Sequence, residues 1–302
     1  MTNKNTLPTS RKKKTQPATI SRMYSYWFYL PAAIVFGVFF LIPTGLAFYF
    51  SLTRWTLFDA TFIGLENYEY FFRDPQLLTA LRNTFIYAIL TSGSKVIISL
   101  PLALLLTSGL RLQSFFRSVI FFPVLISAVA VGITFSSLMQ PSDGLINLAL
   151  ESIGLPQPDW LGDPDLALYS VIMIDIWKGI GIATLIFIAG ITSIPTEYFD
   201  AASLEGGAWV KFRHVILPLS RNATFTVILL SFIGGLRTFE IVWTTTRGGP
   251  GFASDVLTSV IYKQYQAGFY GLSVAGNVVL FILIMSLVYP LMRFFNRMEL
   301  EL

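Results

Sequence analysis

Pro195-Thr196-Glu197-Tyr198-Phe199-Asp200-Ala201-Ala202-Ser203-Leu204-Glu205-Gly206-Gly207-Ala208-Trp209-Val210-Lys211-Phe212-Arg213-His214-Val215-Ile216-Leu217-Pro218 is a polar stretch between two long apolar runs. Pro195 suits a helix start, where its missing N–H is not needed. Glu197 and Asp200 fall in the first turns, where the helix dipole favours carboxylates. Ala201, Ala202, Leu204 and Ala208 supply a slim apolar face suited to a groove. Gly206-Gly207 ends the helix and turns the chain. Trp209, Phe212 and Val215 recur at every third position, which predicts a second amphipathic helix leading to Pro218. The stretch reads as a helix–turn–helix lying parallel to a bilayer and docking on another protein. The alternative is a segment that only rests on the membrane. Basic residues should then dominate its polar face, whereas Glu197, Asp200 and Glu205 cluster at the front.

Working outward, the flanks are lipid-like. Charged residues make up 13% of the chain and mean hydropathy is +0.65, against roughly 25% charged residues in soluble domains. Six segments are long enough to cross the hydrocarbon: about 27–51, 82–107, 116–139, 167–192, 222–244 and 271–292. Backbone groups in lipid must pair internally, so spans are helices or a closed barrel. Barrel strands alternate, and Ile172-Met173-Ile174 or Val227-Ile228-Leu229-Leu230 do not. The fold class is therefore an all-helical integral membrane protein. The first run follows a basic tail, 1–25, but is far longer than the roughly 7–15 residues of a signal-peptide core, so it reads as a retained span. That tail acts as an orientation signal or touches anionic lipid. With no cysteine, disulfides and thiolate metal sites are excluded.

Basic residues set the orientation. With the N-terminus inside, the inner side holds Lys4, Arg11, Lys12, Lys13, Lys14, Arg22, Arg111, Arg117, Lys211, Arg213, Arg221, Arg293 and Arg297. The outer side holds only Arg54, Arg73, Arg82, Arg247 and Lys263. The connection 140–166 carries Asp143, Glu151, Asp159, Asp163 and Asp165 with no basic residue, so it lies outside. Both termini and 195–218 then face the cytoplasm. The long outer connections read as a platform for an external partner, or as spacers.

Charges within spans are costly and often mark a pathway. Asp175 and Lys178 share one helix face, as do Arg237 and Glu240 with Trp243 a turn further on. Asn277 and Lys95 lie in other spans. Asp175, Trp177, Lys178, Arg237, Glu240, Trp243 and Asn277 line a solute cavity, or the pairs neutralise themselves to permit packing; packing is the stronger reading for Asn277 and Lys95. No catalytic constellation is present, and the chain has no Gly-x-x-x-x-Gly-Lys-Ser/Thr phosphate loop. The single histidine, His214, lacks ligand partners at useful spacing, so no metal site is expected.

Asp200-Ala201-Ala202, Gly206 and the closing Val215-Ile216-Leu217-Pro218 resemble the "EAA" loop of ATP-binding-cassette (ABC) importer permeases. The wider chain resembles the carbohydrate-uptake branch, the maltose and glycerol-3-phosphate type. Gly64-Leu65-Glu66-Asn67-Tyr68, Phe121-Phe122-Pro123, Gly248-Gly249-Pro250, Tyr262 and Phe269 belong to that likeness. Two departures stand out. Asp200 replaces the usual Glu, and the interval from Gly206 to Pro218 is one residue shorter than the family pattern.

The resemblance implies six spans with a cytoplasmic coupling loop in a bacterial cytoplasmic (inner) membrane. Glu197, Asp200, Ala201, Ala202, Leu204, Gly206, Val215, Leu217 and Pro218 would form the ATPase-coupling surface. It further implies a second homologous permease as a heterodimer partner, two ABC ATPase subunits holding ATP and magnesium, and an external solute-binding protein. Nucleic acid is not expected as a partner. The solute class it implies is a sugar, oligosaccharide, polyol or sugar phosphate. A stand-alone secondary transporter or channel is the alternative.

Overall fold

The computed structural model describes residues 26–298 except 57 and 110; the basic tail 1–25 lies outside the described residues. The described residues divide into two compact units, one up to Leu46 and the other from Ala47 onward. Helix α1 (Trp27–Phe50) is apolar throughout, with none of its residues buried. A π-helical stretch, Gly37–Leu41, interrupts its middle.

The second unit opens with an antiparallel hairpin, β1 (Thr53–Trp55) and β2 (Ala60–Phe62), in register Thr53↔Phe62. Helix α2 (Glu66–Arg73) follows. The Asn67 side-chain amide donates to the Ser51 and Thr53 carbonyls at 2.8 and 2.9 Å, and Tyr68 donates to Ser51 at 2.6 Å. These bonds give the Asn67-Tyr68 part of the family-like motif a structural task, pinning hairpin to helix.

Helix α3 (Pro75–Thr107) is longer than the span 82–107 expected from hydropathy. Asp74 caps it, accepting from the Gln76 and Leu77 amides at 2.7 and 3.4 Å, and Pro75 takes the first position. At 33 residues and about 1.5 Å per residue it outreaches the hydrocarbon.

The expected third span, 116–139, is two helices: α4 (Gln113–Leu125) and α5 (Ala128–Leu138), bent by 99°. Pro123 cannot donate its helical bond, and Ser127 starts a new helix by accepting from Ala130 N at 3.1 Å. Helix α6 (Leu145–Ser152) sits in the following connection. There Asn147 accepts from Trp160 at 2.8 Å and donates to the Pro141 and Pro158 carbonyls, so 140–160 is a folded element.

Helix α7 (Ala167–Thr192) coincides with its predicted span. Helices α8 (Thr196–Glu205) and α9 (Ala208–Leu219) form the loop after it, Pro195 standing one residue before the helix it was expected to begin. The fifth span, expected as 222–244, breaks into α10 (Arg221–Leu236) and α11 (Glu240–Thr245). The Arg237 amide closes α10 on the Ile233 and Gly234 carbonyls, leaving 237–239 outside both helices. Helices α12 (Leu257–Gln266) and α13 (Tyr270–Met298) complete the unit.

Helix α3 is the hub. Ser99 donates to the Ile180 carbonyl of α7 at 3.3 Å, and Ser92 to the Ile228 carbonyl of α10 at 3.2 Å. Ala103, Leu106, Phe187, Ile191 and Val227 pack one part of the core; Tyr87, Val171, Ile174 and Val242 pack another. Helices α1, α3, α7 and α13 are long and apolar enough to cross a membrane, as are the bent pairs α4–α5 and α9–α10 if each counts as one span.

Candidate functional site

At the end of α7 away from α6, α8 and α9 fold onto each other around Ile194, Ala202 and Val215, with Phe199 and Leu219 beside them. Ala202 is therefore part of the loop's own floor, a correction to the outward apolar face read from sequence. Helical spacing explains it. Phe199 and Ala202, three apart, turn inward, while Glu197, Asp200, Ala201 and Leu204 share the outward side. Leu204 is 91% and Trp209 67% exposed, a large apolar area beside two carboxylates. Leu217 is exposed and Pro218 half-buried. Gly206 allows the tight turn: a Cβ there would meet Val210 Cγ2 at 2.5 Å. The second helix is less regular than expected, being π-helical over Lys211–Ile216.

A cavity of about 390 Å³ lies where α3, α7 and α10–α11 meet, lined by Lys95, Asp175, Lys178, Arg237 and Glu240 among others. The structure brings together four of the seven pathway residues expected from sequence. It does not pair them as spacing suggested. Lys95 Nζ donates to Asp175 Oδ2 at 2.9 Å, with side chains only 9% and 20% exposed. Among the described residues, Lys178, Arg237 and Glu240 form no ion pair. A neighbour three positions along a helix contributes only tenths of a kcal/mol, whereas a buried ammonium needs a close counter-charge. Gly179 makes the reach possible, since a Cβ there would sit 2.6 Å from Lys95 Cε.

The remaining three residues lie elsewhere. Asn277 lines an open groove with Phe239, Tyr262, Tyr265 and Ser273. Trp243 stacks on Phe239 at 5.6 Å and meets Tyr262 edge-on at 4.9 Å. Trp177 packs on Phe135 at 5.2 Å and lines neither space. The helix break 237–239 separates the two spaces: Arg237, Thr238 and Glu240 line the charged cavity, Phe239 the aromatic groove. Phe239 and Tyr265 escaped the sequence reading because aromatic residues in a 15% aromatic chain carry no positional signal.

Asp255 was also missed. Fully buried, it accepts from Lys263 at 2.8 Å, Ser259 at 2.8 Å and Gln76 at 3.3 Å. Asn83 donates to the Ala253 and Asp255 carbonyls, both at 2.9 Å. Gly248, at φ +86°, abuts the Asp255 carboxylate, where any side chain would collide. The Gly248-Gly249-Pro250 segment is thus tied to α3 by a buried charge.

The model of the binding-protein-dependent transport system inner membrane component family matches residues 77–298. The probable ABC transporter permease protein YurN of Bacillus subtilis (strain 168) is 34% identical over 284 residues, covering 91% of this chain and 97% of the relative. The trehalose/maltose transport system permease protein MalF of Thermococcus litoralis is 28% identical over 264 residues, covering 86% and 90%. The crystal structure of a bacterial ABC transporter involved in the import of the acidic polysaccharide alginate shares the fold. Its TM-score is 0.80 at 22% identity, over 90% of this chain and 94% of that one. The chain belongs to the binding-protein-dependent transport system inner membrane component family and is a permease subunit of an ABC importer.

Proposed function

We propose that this permease carries a sugar, oligosaccharide, polyol or sugar phosphate handed to it by an external binding protein. The α8–α9 loop receives the force of ATP hydrolysis on the cytoplasmic side. The observation that carries the reading is that loop, which keeps a minimal core of its own and turns Glu197, Asp200, Leu204 and Trp209 outward. Such a surface suits a groove on a nucleotide-binding subunit. ATP and magnesium belong to two such subunits, since this chain carries no phosphate loop.

The orientation rests on the basic residues: Lys211 and Arg213 lie in the loop and Arg221 just after it, while the charged residues of 140–166 are all acidic. Arg237 and Glu240 are exposed on segments of membrane character. Charges rarely face lipid, which favours a second, homologous permease across the open cavity, most simply as a heterodimer. Aromatic faces and a side-chain amide suit sugar rings and hydroxyls, and Phe239, Tyr262, Tyr265 and Asn277 supply them beside the charged cavity. The relative named for trehalose and maltose fits this solute class.

The test is reconstitution of the chain with a neighbouring permease, ATPase and binding protein in proteoliposomes. Sugar uptake should require both ATP and the binding protein. Asp200→Lys and Gly206→Pro should insert normally yet lose binding-protein-stimulated ATPase activity and transport. Proline cannot take the φ of 172° found at Gly206 or donate its amide to the Ala202 carbonyl. Wild-type transport by either variant would overturn the coupling assignment.

A further inference from the structure

We infer that the transported solute carries an anionic group, a carboxylate or phosphate ester on a sugar or polyol, received by Lys178 and Arg237. The inference rests on the importer reading above and narrows its solute.

The charge balance of the cavity is uneven. Lys95 and Asp175 are closed on each other at 2.9 Å and cancel. Lys178, Arg237 and Glu240 remain, two cations against one carboxylate, none in an ion pair among the described residues. Arginine stays protonated at any accessible pH. Apolar Ile182, Val227 and Leu230 make up much of the remaining wall, and low-dielectric walls focus the field of such charges on whatever enters. The guanidinium fork matches carboxylate and phosphate oxygens in two parallel hydrogen bonds. A neutral sugar needs no such excess of positive charge. Glu240 is suited to accept from hydroxyls on the same solute.

The experiment uses the complete transporter in proteoliposomes with paired probes: glucose against glucuronate and glucose 6-phosphate, glycerol against glycerol 3-phosphate, maltose against digalacturonate. The anionic member of at least one pair should enter about tenfold faster, the weight of one hydrogen bond to a charged group. Carboxylate and phosphate members separate the two anion types. Lys178→Gln/Arg237→Gln should erase most of that preference, and Lys178→Arg/Arg237→Lys should keep it. Glu240→Gln, which adds to the positive excess, should keep or raise it. Equal uptake within every pair overturns the inference and leaves the carbohydrate reading standing. An unchanged anion preference in the Gln/Gln variant, or its loss in Glu240→Gln, also overturns it. Uptake of no probe by the wild type defeats the carbohydrate reading and this inference with it.

Discussion

Asp175 shows how little chain spacing says about a charge inside a membrane protein. Lys178 is its helical neighbour, yet Lys95, from another helix, takes the contact. Removing one partner of a buried pair strands the other, at about 3–5 kcal/mol. Lys95→Met should therefore lower the melting temperature in detergent markedly. Lys95→Met/Asp175→Leu should recover most of the loss, because no charge is then left buried. A double variant no more stable than the single one would contradict the pairing. Asp200 and Leu204 were legible at this scale, since their exposure follows from position on a short helix. Ala202 was not, because facing inward depends on what α9 lays over it.

At the scale of elements, two close packings invite test. A Cβ at Gly235 would stand 2.6 Å from the Ala88 Cα of α3, backbone that cannot swing aside. Gly235→Ala should cost about 1–3 kcal/mol by overpacking, read by thermal unfolding, while Gly234→Ala, with open space around it, should be nearly neutral. Asp255 holds 248–255 against Lys263 and Gln76. Asp255→Asn weakens hydrogen bonds to charged groups, worth about 1.5–3 kcal/mol each. Amide exchange across 248–256 should then quicken about tenfold or more, with α7 unchanged. The helices themselves were largely legible, because a span is written in consecutive apolar residues. The breaks after Leu125 and Leu236 were not: hydropathy runs straight through the first, where only Pro123 and Ser127 stand out, and at the second Arg237 and Glu240 read as pathway charges within one span.

For the whole molecule, the exposed charged cavity and the outward loop are the surfaces that the assembly proposed above would cover. Produced alone, the chain should aggregate or be degraded. Coexpression with a neighbouring permease and ATPase should raise the yield of monodisperse protein several-fold, measured by size-exclusion chromatography. An equally well-behaved isolated chain would argue against the partner surfaces. The family-like motifs were readable because each is a short local device: Asn67 and Tyr68 pin a hairpin, and Gly206 clears a turn.

The sequence by itself determined that this chain lives in a membrane, that it is helical, and that a polar helix–turn–helix stands between two of its apolar runs. Each of these depends on composition or on residues a few positions apart. Only the tertiary structure decided which charges meet and which stay open. Lys95 finds Asp175 across 80 residues and Gln76 finds Asp255 across 179. Such contacts arise where segments distant in the chain pack together, and the low dielectric there makes each pairing, or its absence, count.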